Sequence, residues 1–252
     1  MTGLLSLTFD DRHLRSWVDA LPAFDAAGAR VTFFIVEADL LDADERAAIR
    51  TLLDAGHGIG SHGLRHRNAD AEIAARGAAA YLAEEIDPSI DALCALGGYP
   101  SVFAYPNSRR DDASDAALLT RFSRLRGGGP RTLDPDAARG AIVPADSPQT
   151  THPARGIDTG RGAEAHLADE AVLDTLLHDL ADGDGSLILY AHDIAARGPG
   201  NHIHPDRLAA ILARAHNLGL RMVPMQEIAS EPTASRPART RPPHRSPLTH
   251  AP

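Results

Sequence analysis

The chain has 252 residues, of which 43% are hydrophobic, enough for one α/β domain with a full core and too few to favour two sizeable domains. Its 34 acidic and 25 basic residues give a net charge of −9, which argues against nucleic acid as a partner, because phosphate-binding surfaces need clustered cations. The single cysteine, Cys94, excludes an internal disulfide.

The N-terminus predicts no export signal and no membrane anchor. Met1-Thr2-Gly3 leads directly into an apolar strand, without a basic segment or a cleavage site. No run approaches the roughly 18 apolar residues of a membrane-spanning helix. We therefore expect a cytoplasmic protein without a transmembrane segment.

Strand-like and helix-like segments alternate along the chain. Apolar and β-branched runs predict the strands, and 3.6-residue periodicity predicts the helices. In chain order they are strand 4–9, helix 14–27, strand 30–36, helix 43–55, strand 58–61, helix 71–96, strand 101–105, helix 112–122, helix 163–181, strand 186–191, helix 205–218 and strand 221–224. Residues 126–162 are rich in Gly, Pro and Arg, and no strand is assigned there. This alternation predicts a parallel sheet of right-handed crossovers in one domain, residues 1–229.

The last 22 residues differ in composition from the rest. From Glu231 onward they contain six of the 18 prolines and four arginines, with almost no apolar residues. We expect residues 230–252 to form a disordered tail.

Polar side chains with metal-site chemistry lie where predicted strands end. Asp10 and Asp11 close the first strand, and His62 and His66 follow the third. The i, i+4 spacing of the histidines places both imidazoles on one side of a helical turn, where they can share one ion. Two imidazoles and one carboxylate suit zinc, although cobalt, nickel or ferrous iron would also fit. Adjacent residues of a strand point to opposite faces, so both aspartates reach one site only if the strand bends at its end.

Four stretches, in order, resemble the motifs of the polysaccharide deacetylases, carbohydrate esterase family four, which includes chitooligosaccharide and peptidoglycan deacetylases. They are Leu7-Thr8-Phe9-Asp10-Asp11, the segment from Gly56 to His66, Phe103 to Ser108 as a degenerate third motif, and Leu187 to Ile194. The resemblance implies a distorted (β/α) barrel of about seven parallel strands. It also implies that Asp11, His62 and His66 bind the metal, that Asp10 is the general base and that His192 is the general acid.

The third and fourth motifs depart from the family pattern. By resemblance, Tyr105, Pro106 and Asn107 form a pocket wall, and the Asn107 N–H contributes to oxyanion stabilisation. Many relatives carry a base-orienting arginine where this chain has Ala104, and Arg109, Arg110 and Arg155 are candidates to replace it. Gly156 to Gly162 occupies the region of the fourth motif, where Asp158 could orient His192. The only tryptophan, Trp17, is too early to supply the usual lid.

These features predict a metal-dependent hydrolase that removes an N-acetyl group from an amino sugar or glycan intermediate. One alternative is hydrolysis of a small, cyclic amide, since a branch of the superfamily opens rings such as allantoin. The other is a carbohydrate-binding protein without turnover. An N-acetylated sugar or other small amide is therefore the expected partner.

Overall fold

The computed structural model describes residues 3–129, 132–159 and 163–228, with side chains from 167 onward in the last range. The predicted tail, residues 230–252, and the Gly160–Gly162 part of the fourth-motif region lie outside the described residues. Within the described ranges, no helix combines the length and the apolar character needed to cross a membrane.

The strands form one mostly parallel sheet that nearly closes into a barrel. They are β1 Leu4–Asp11, β2 Thr32–Ile35, β3 Gly58–Ser61, β4 Val102–Ala104, β5 Arg124–Arg126, β6 Ile142–Val143, β7 Thr151–His152, β8 Arg155–Gly156, β9 Ser186–Ala191 and β12 Arg221–Met222. A separate two-stranded sheet consists of β10 Asp193–Ile194 and β11 His202–Ile203.

Seven strand positions account for the barrel. Neighbouring strands pair in the order β9-β1-β2-β3-β4-β5-β7, all in parallel. The short strand β8 pairs with β9 and follows β7 after only residues 153–154, so β7 and β8 together bridge the last position. The predicted fold class, a distorted (β/α) barrel in a single domain, is confirmed. Only β6 pairs antiparallel within this sheet as described.

The helices cover the outside of the barrel. They are α1 Leu14–Asp19, α2 Leu21–Ala26, α3 Ala43–Asp54, α4 Ala69–Arg76, α5 Ala78–Tyr81, α6 Asp87–Ala95, α7 Asp112–Leu118, α8 Pro135–Ala138, α9 Ala163–Asp182 and α10 Pro205–Asn217. A π-helical turn, Leu82–Ile86, joins α5 to α6.

Two predicted helices are interrupted, and strands β5 to β8, β10 and β11 have no counterpart among the predicted strands. The single helix expected over 14–27 is two helices, because Pro22 has no N–H to continue the first. The helix expected over 71–96 breaks at Gly77, whose φ is 85°. Strand β5, Arg124–Arg126, had no sequence prediction.

Alternation along the strands separates two layers. Leu5, Leu7 and Phe9 of β1 belong to the apolar layer under the helices. Their alternate neighbours, Thr8 and Asp10 among them, therefore point into the barrel. The same parity directs inward Gly60 of β3, Ala104 of β4, Arg124 and Arg126 of β5, and Ile188 and Tyr190 of β9. The polar residues at the carboxyl ends of these strands line the candidate functional site.

Candidate metal centre

Three side chains from two strand ends converge on one point. Asp11 Oδ1 lies 3.7 Å from His62 Nε2 and 3.6 Å from His66 Nε2. All three ligand atoms lie within 4.8 Å of one another. Donors held about 2.0–2.2 Å from a tetrahedral zinc are about 3.3–3.6 Å apart, so this donor set fits one divalent cation.

The backbone conformation of Asp11 explains how two adjacent aspartates reach one site. Asp11 has a φ of 81°, in the left-handed region, which produces the bend that strand alternation requires. Asp10 keeps its inward direction, and Asp11 turns back toward the histidines. Neither aspartate caps the next helix, since the N-cap of α1 is His13.

The two histidines do not lie on a helical turn, which corrects the expectation from their spacing. His62 directly follows β3, and His66 lies in an irregular loop with a φ of 57°. The reversal of this loop brings the rings to a centroid separation of 4.8 Å. The spacing of four residues therefore works through a loop rather than through a helix.

His62 is prepared to act as a neutral ligand. Its Nδ1 lies 2.8 Å from the Ala104 carbonyl oxygen, which fixes the ring so that Nε2 faces Asp11. Burial is the largest influence on the pKa of His62 and lowers it below its ordinary value, against the opposing effects of Asp10 and Asp11. A neutral imidazole leaves its nitrogen lone pair available for a cation.

Asp10 lies beside this centre, in a buried ion pair that sequence reasoning missed. Its Oδ2 accepts a hydrogen bond of 2.6 Å from Nη2 of Arg126, and both side chains are buried. Burial by itself raises the pKa of Asp10, but Arg126, together with His62 and His192, holds that pKa below its ordinary value. Asp10 is therefore an ionised carboxylate. Its Oδ1 is buried and has no hydrogen-bond partner among the described residues.

Arg126 lies next to Ala104, the position at which the third motif lacks its expected arginine. It pairs in register with Ala104 across β4 and β5, so the arginine is displaced by one strand. Its guanidinium also lies over the rings of Phe34 and Tyr190, at 5.3 and 4.7 Å from their centroids. Contact with these aromatic faces stabilises the positive charge of the buried guanidinium.

The three arginines considered from sequence lie elsewhere. Arg109 pairs with Asp70, Arg110 with Asp115 and Arg155 with Asp169. None of these pairs includes Asp10. None of the three candidates therefore replaces the missing arginine beside Asp10. No sequence signal identifies Arg126, because its inward direction follows from its register with Ala104 on a strand that the sequence does not predict.

His192 directly follows β9, the strand that pairs with β1, and its side chain is paired with Asp158. His192 Nδ1 lies 2.7 Å from Asp158 Oδ2, and the His192 backbone N–H donates to Asp158 Oδ1 at 3.1 Å. Burial lowers the pKa of His192, but the hydrogen bond to Asp158 and the nearby carboxylates outweigh it, so the pKa is raised. Trp17, although early in the chain, donates from Nε1 to the His192 carbonyl oxygen at 2.9 Å. The neighbouring Asp193 accepts instead from Ser16.

The structure places the three predicted wall residues at the cavity or beside it in the chain. Tyr105 and Asn107 line the cavity, while Pro106 is buried between them in the chain. The hydroxyl of Tyr105 donates to Asp115, so the phenol end points away from the metal centre. Asn107 has a left-handed backbone, and its side chain donates to Asn68. The Gly160–Gly162 part of the expected fourth motif lies outside the described residues.

One cavity of about 250 Å³ unites these groups. It is lined by Asp10, Asp11, His62, His66, Tyr105, Asn107, Ser108, Tyr190, His192 and Asn201. The carboxylate of Asp10 and the imidazole of His192 thus line the same cavity as the candidate cation site. This arrangement provides one group that can take up a proton and another that can deliver one.

Residues 2–120 match the family model described as polysaccharide deacetylase. The resemblance to polysaccharide deacetylases is confirmed. The matched segment of this deacetylase-like chain contains Asp10, Asp11, His62, His66 and the wall residues from Tyr105 to Asn107. No match to a curated protein is found.

Solved structures of deacetylases share the fold. A protein of Mycobacterium smegmatis assigned to the polysaccharide deacetylases superposes with a TM-score of 0.63 at 15% identity, covering 90% of each chain. The chitin deacetylase of Colletotrichum lindemuthianum gives 0.57 at 16% identity, covering 90% of this chain and 88% of its own. A family 4 carbohydrate esterase from Streptomyces lividans gives 0.51 at 20% identity, with coverages of 86% and 87%.

Proposed function

We propose that this protein is a metal-dependent hydrolase that removes the acetyl group from the nitrogen of an amino sugar or a related glycan intermediate. The observation that carries this proposal is the convergence of Asp11, His62 and His66 on one point, flanked by Asp10 and His192 in the same cavity. The family resemblance supplies the reaction class, an amide hydrolysis that yields acetate and an amine.

In this proposal Asp11, His62 and His66 hold a divalent cation, with zinc the first choice for two nitrogen donors and one oxygen donor. When bound, such a cation supplies Lewis-acid polarisation of the amide carbonyl and acidifies water in the site. The backbone N–H of Asn107 is assigned a supporting role at the developing oxyanion.

Asp10 and His192 divide the proton transfers. Asp10, ionised beside Arg126, takes a proton from the attacking water through its unpartnered Oδ1 as the C–O bond forms. His192, whose Nδ1 is occupied by Asp158, donates from Nε2 to the nitrogen as the C–N bond breaks. Acetate and the free amine leave, and exchange with solvent returns both side chains to their starting protonation states.

A second candidate, hydrolysis of a small amide, is favoured by the size of the cavity. Its volume of about 250 Å³ is below the roughly 300–1,000 Å³ of typical ligand pockets. Such a cavity suits one small molecule or the end of a chain better than the interior of a polymer.

The test combines a substrate panel with one variant. The zinc-loaded protein is assayed for acetate release from N-acetylglucosamine, its oligomers and peptidoglycan fragments, and for ring opening of cyclic amides such as allantoin. Acetate release that is lost in Asp10→Asn, with metal content unchanged, supports the proposal. Ring opening without acetate release identifies the second candidate, and full activity of Asp10→Asn contradicts the assigned base.

A further inference from the structure

A completely buried carboxylate lies beneath the loop that carries His66. Glu85 has 0% exposure, and its Oε1 accepts hydrogen bonds from the backbone N–H groups of Arg65 at 2.7 Å and Arg67 at 3.2 Å. These are the two residues on either side of His66. The backbone carbonyl oxygen of Glu85 accepts a third bond from the N–H of Leu64 at 3.1 Å.

The position of Glu85 follows from a defect in the helix. Pro88 has no N–H to donate and its ring crowds the carbonyl four residues earlier, so an α-helix cannot pass through this point unchanged. The chain forms the π-helical turn Leu82–Ile86, in which the Asp87 N–H bonds to the Leu82 carbonyl oxygen. Widened turns of this kind occur frequently at functional sites. Here the turn places Glu85 on the buried side, while Glu84 stays half exposed.

The loop wraps closely around this carboxylate. Gly63 has a φ of 81°, and a Cβ added to it would lie 2.7 Å from Glu85 Oε1. His66 has a φ of 57°, a conformation that costs a non-glycine residue about 1–2 kcal/mol. Such a conformation persists where the surroundings fix it, and the two hydrogen bonds to the flanking amides do so here.

We propose that Glu85 is a positioning residue of the metal centre, which holds the loop so that His66 is preorganised to bind the cation. This inference rests on the metal centre of the proposed function. Asp11 and His62 are attached to strand ends, whereas His66 is a loop residue whose direction depends on the amides beside it. The carboxylate acts as a local anchor that the backbone N–H groups surround, in the manner of an anion-binding nest.

The test compares zinc affinity in Glu85→Gln and in Glu84→Gln, a neutralisation one residue earlier. Glutamine keeps the shape of Glu85 but weakens the charge-assisted bonds, which are about twice as strong as neutral ones. Loss of a partner that orients a ligand typically reduces metal affinity about 10–100-fold, and we expect at least the lower value for Glu85→Gln. Glu84 pairs with Arg76 at the surface, so Glu84→Gln should bind zinc within about twofold of the wild type.

Affinity is measured by competition with a chromophoric chelator, and thermal unfolding of the metal-free proteins is measured in parallel. Amide hydrogen exchange at Arg65 and Arg67 provides a readout without metal, and both amides should exchange faster in Glu85→Gln. At saturating zinc the turnover number should recover, because Glu85 contacts no reacting atom.

A second variant keeps the test decisive if Glu85→Gln folds poorly. Gly63→Ala retains the carboxylate but displaces it from the loop, and it should weaken zinc binding in the same range. Wild-type zinc affinity in a folded Glu85→Gln protein overturns the inference while leaving the proposed function intact. Absence of zinc binding by the wild type overturns both.

Discussion

The Arg126 guanidinium donates to the Asp10 carboxylate at 2.6 Å in a buried pair that joins β5 to β1, two strands that are not neighbours in the sheet. The arginine comes from β5, whereas the family resemblance implies an arginine at the position of Ala104 on β4. Because Ala104 and Arg126 are register partners, the cation stays in the same part of the barrel although its strand has changed.

Arg126→Met should reduce kcat/KM roughly 10²-fold or more, because a misplaced or protonated base cannot accept a proton efficiently. Arg126 lowers the pKa of Asp10, so its removal lets burial raise that pKa, and the acid limb of the pH–rate profile should move to higher pH. Steady-state kinetics across pH checks this.

The control for this prediction is Arg109→Gln. Arg109 is exposed and pairs with Asp70, so its loss should leave the acid limb in place. An unchanged acid limb in Arg126→Met would show that Arg126 does not set the protonation of Asp10.

Asp158→Asn should lower the pKa of His192, because it removes the hydrogen bond that most raises that pKa against the effect of burial. The proposed acid must be protonated, so the alkaline limb of the pH–rate profile should move to lower pH and the maximal rate should fall roughly 10–100-fold. Asp193→Asn is the matched control, since Asp193 is adjacent in sequence but accepts from Ser16. If the alkaline limb lies at the same pH in the two variants, Asp158 does not set the pKa of the proposed acid.

Removal of metal by a chelator should abolish acetate release, and zinc, cobalt, nickel or ferrous iron added back should restore it to different extents. The variants Asp11→Ala, His62→Ala and His66→Ala should each lose tight metal binding, because a three-ligand site cannot spare a ligand. A metal that binds only the folded state also raises its stability, so zinc should increase the Tm of the wild type but not of the variants. Full activity in the presence of chelator argues against metal catalysis.

Asp169→Asn should destabilise the fold by about 3–5 kcal/mol, the usual cost of leaving buried cations without their partner. The Asp169 carboxylate accepts from Arg155 at 2.5 Å and from Arg207 at 2.7 Å, and all three side chains are buried. Arg207 in turn donates to the backbone carbonyl oxygens of Ile157 and Asp158. Denaturant unfolding measures the loss, with Asp87→Asn as a control that removes an exposed pair with Arg121 outside this network. A change below 1 kcal/mol would mean that the network contributes little to stability.

The sequence predicts the structure well where a strand ends at a recognisable polar residue. Strand 58–61 and strand 186–191 are predicted with their observed bounds: the first lies between a helix-ending glycine and a polar run, and the second is an apolar run that ends before His192. The need for a bend between Asp10 and Asp11 followed from strand alternation, and the left-handed φ of Asp11 provides it.

Contacts between residues far apart in the chain could not be predicted in this way. Strand β5 consists of Arg-Leu-Arg, and two charges in three residues argue against a buried strand. Only the assembled barrel shows that one of these charges meets Asp10 between two aromatic rings. The loop path of His66 was missed for a similar reason, since its support comes from Glu85, 19 residues later in the chain and held by a helix defect.

Alternate residues of each strand point into the barrel, so the proposed active site depends on the register of the strands as well as on which residues they contain. A single-residue deletion within β5 or β9 would exchange the inner and outer rows of that strand, sending Arg126 or the His192 side chain toward the helix layer. Such a protein could keep much of its apolar content and still lose either the cation that pairs with Asp10 or the proposed acid. Over evolutionary time, length changes should therefore accumulate in the connections between strands, while the strands themselves accept only substitutions.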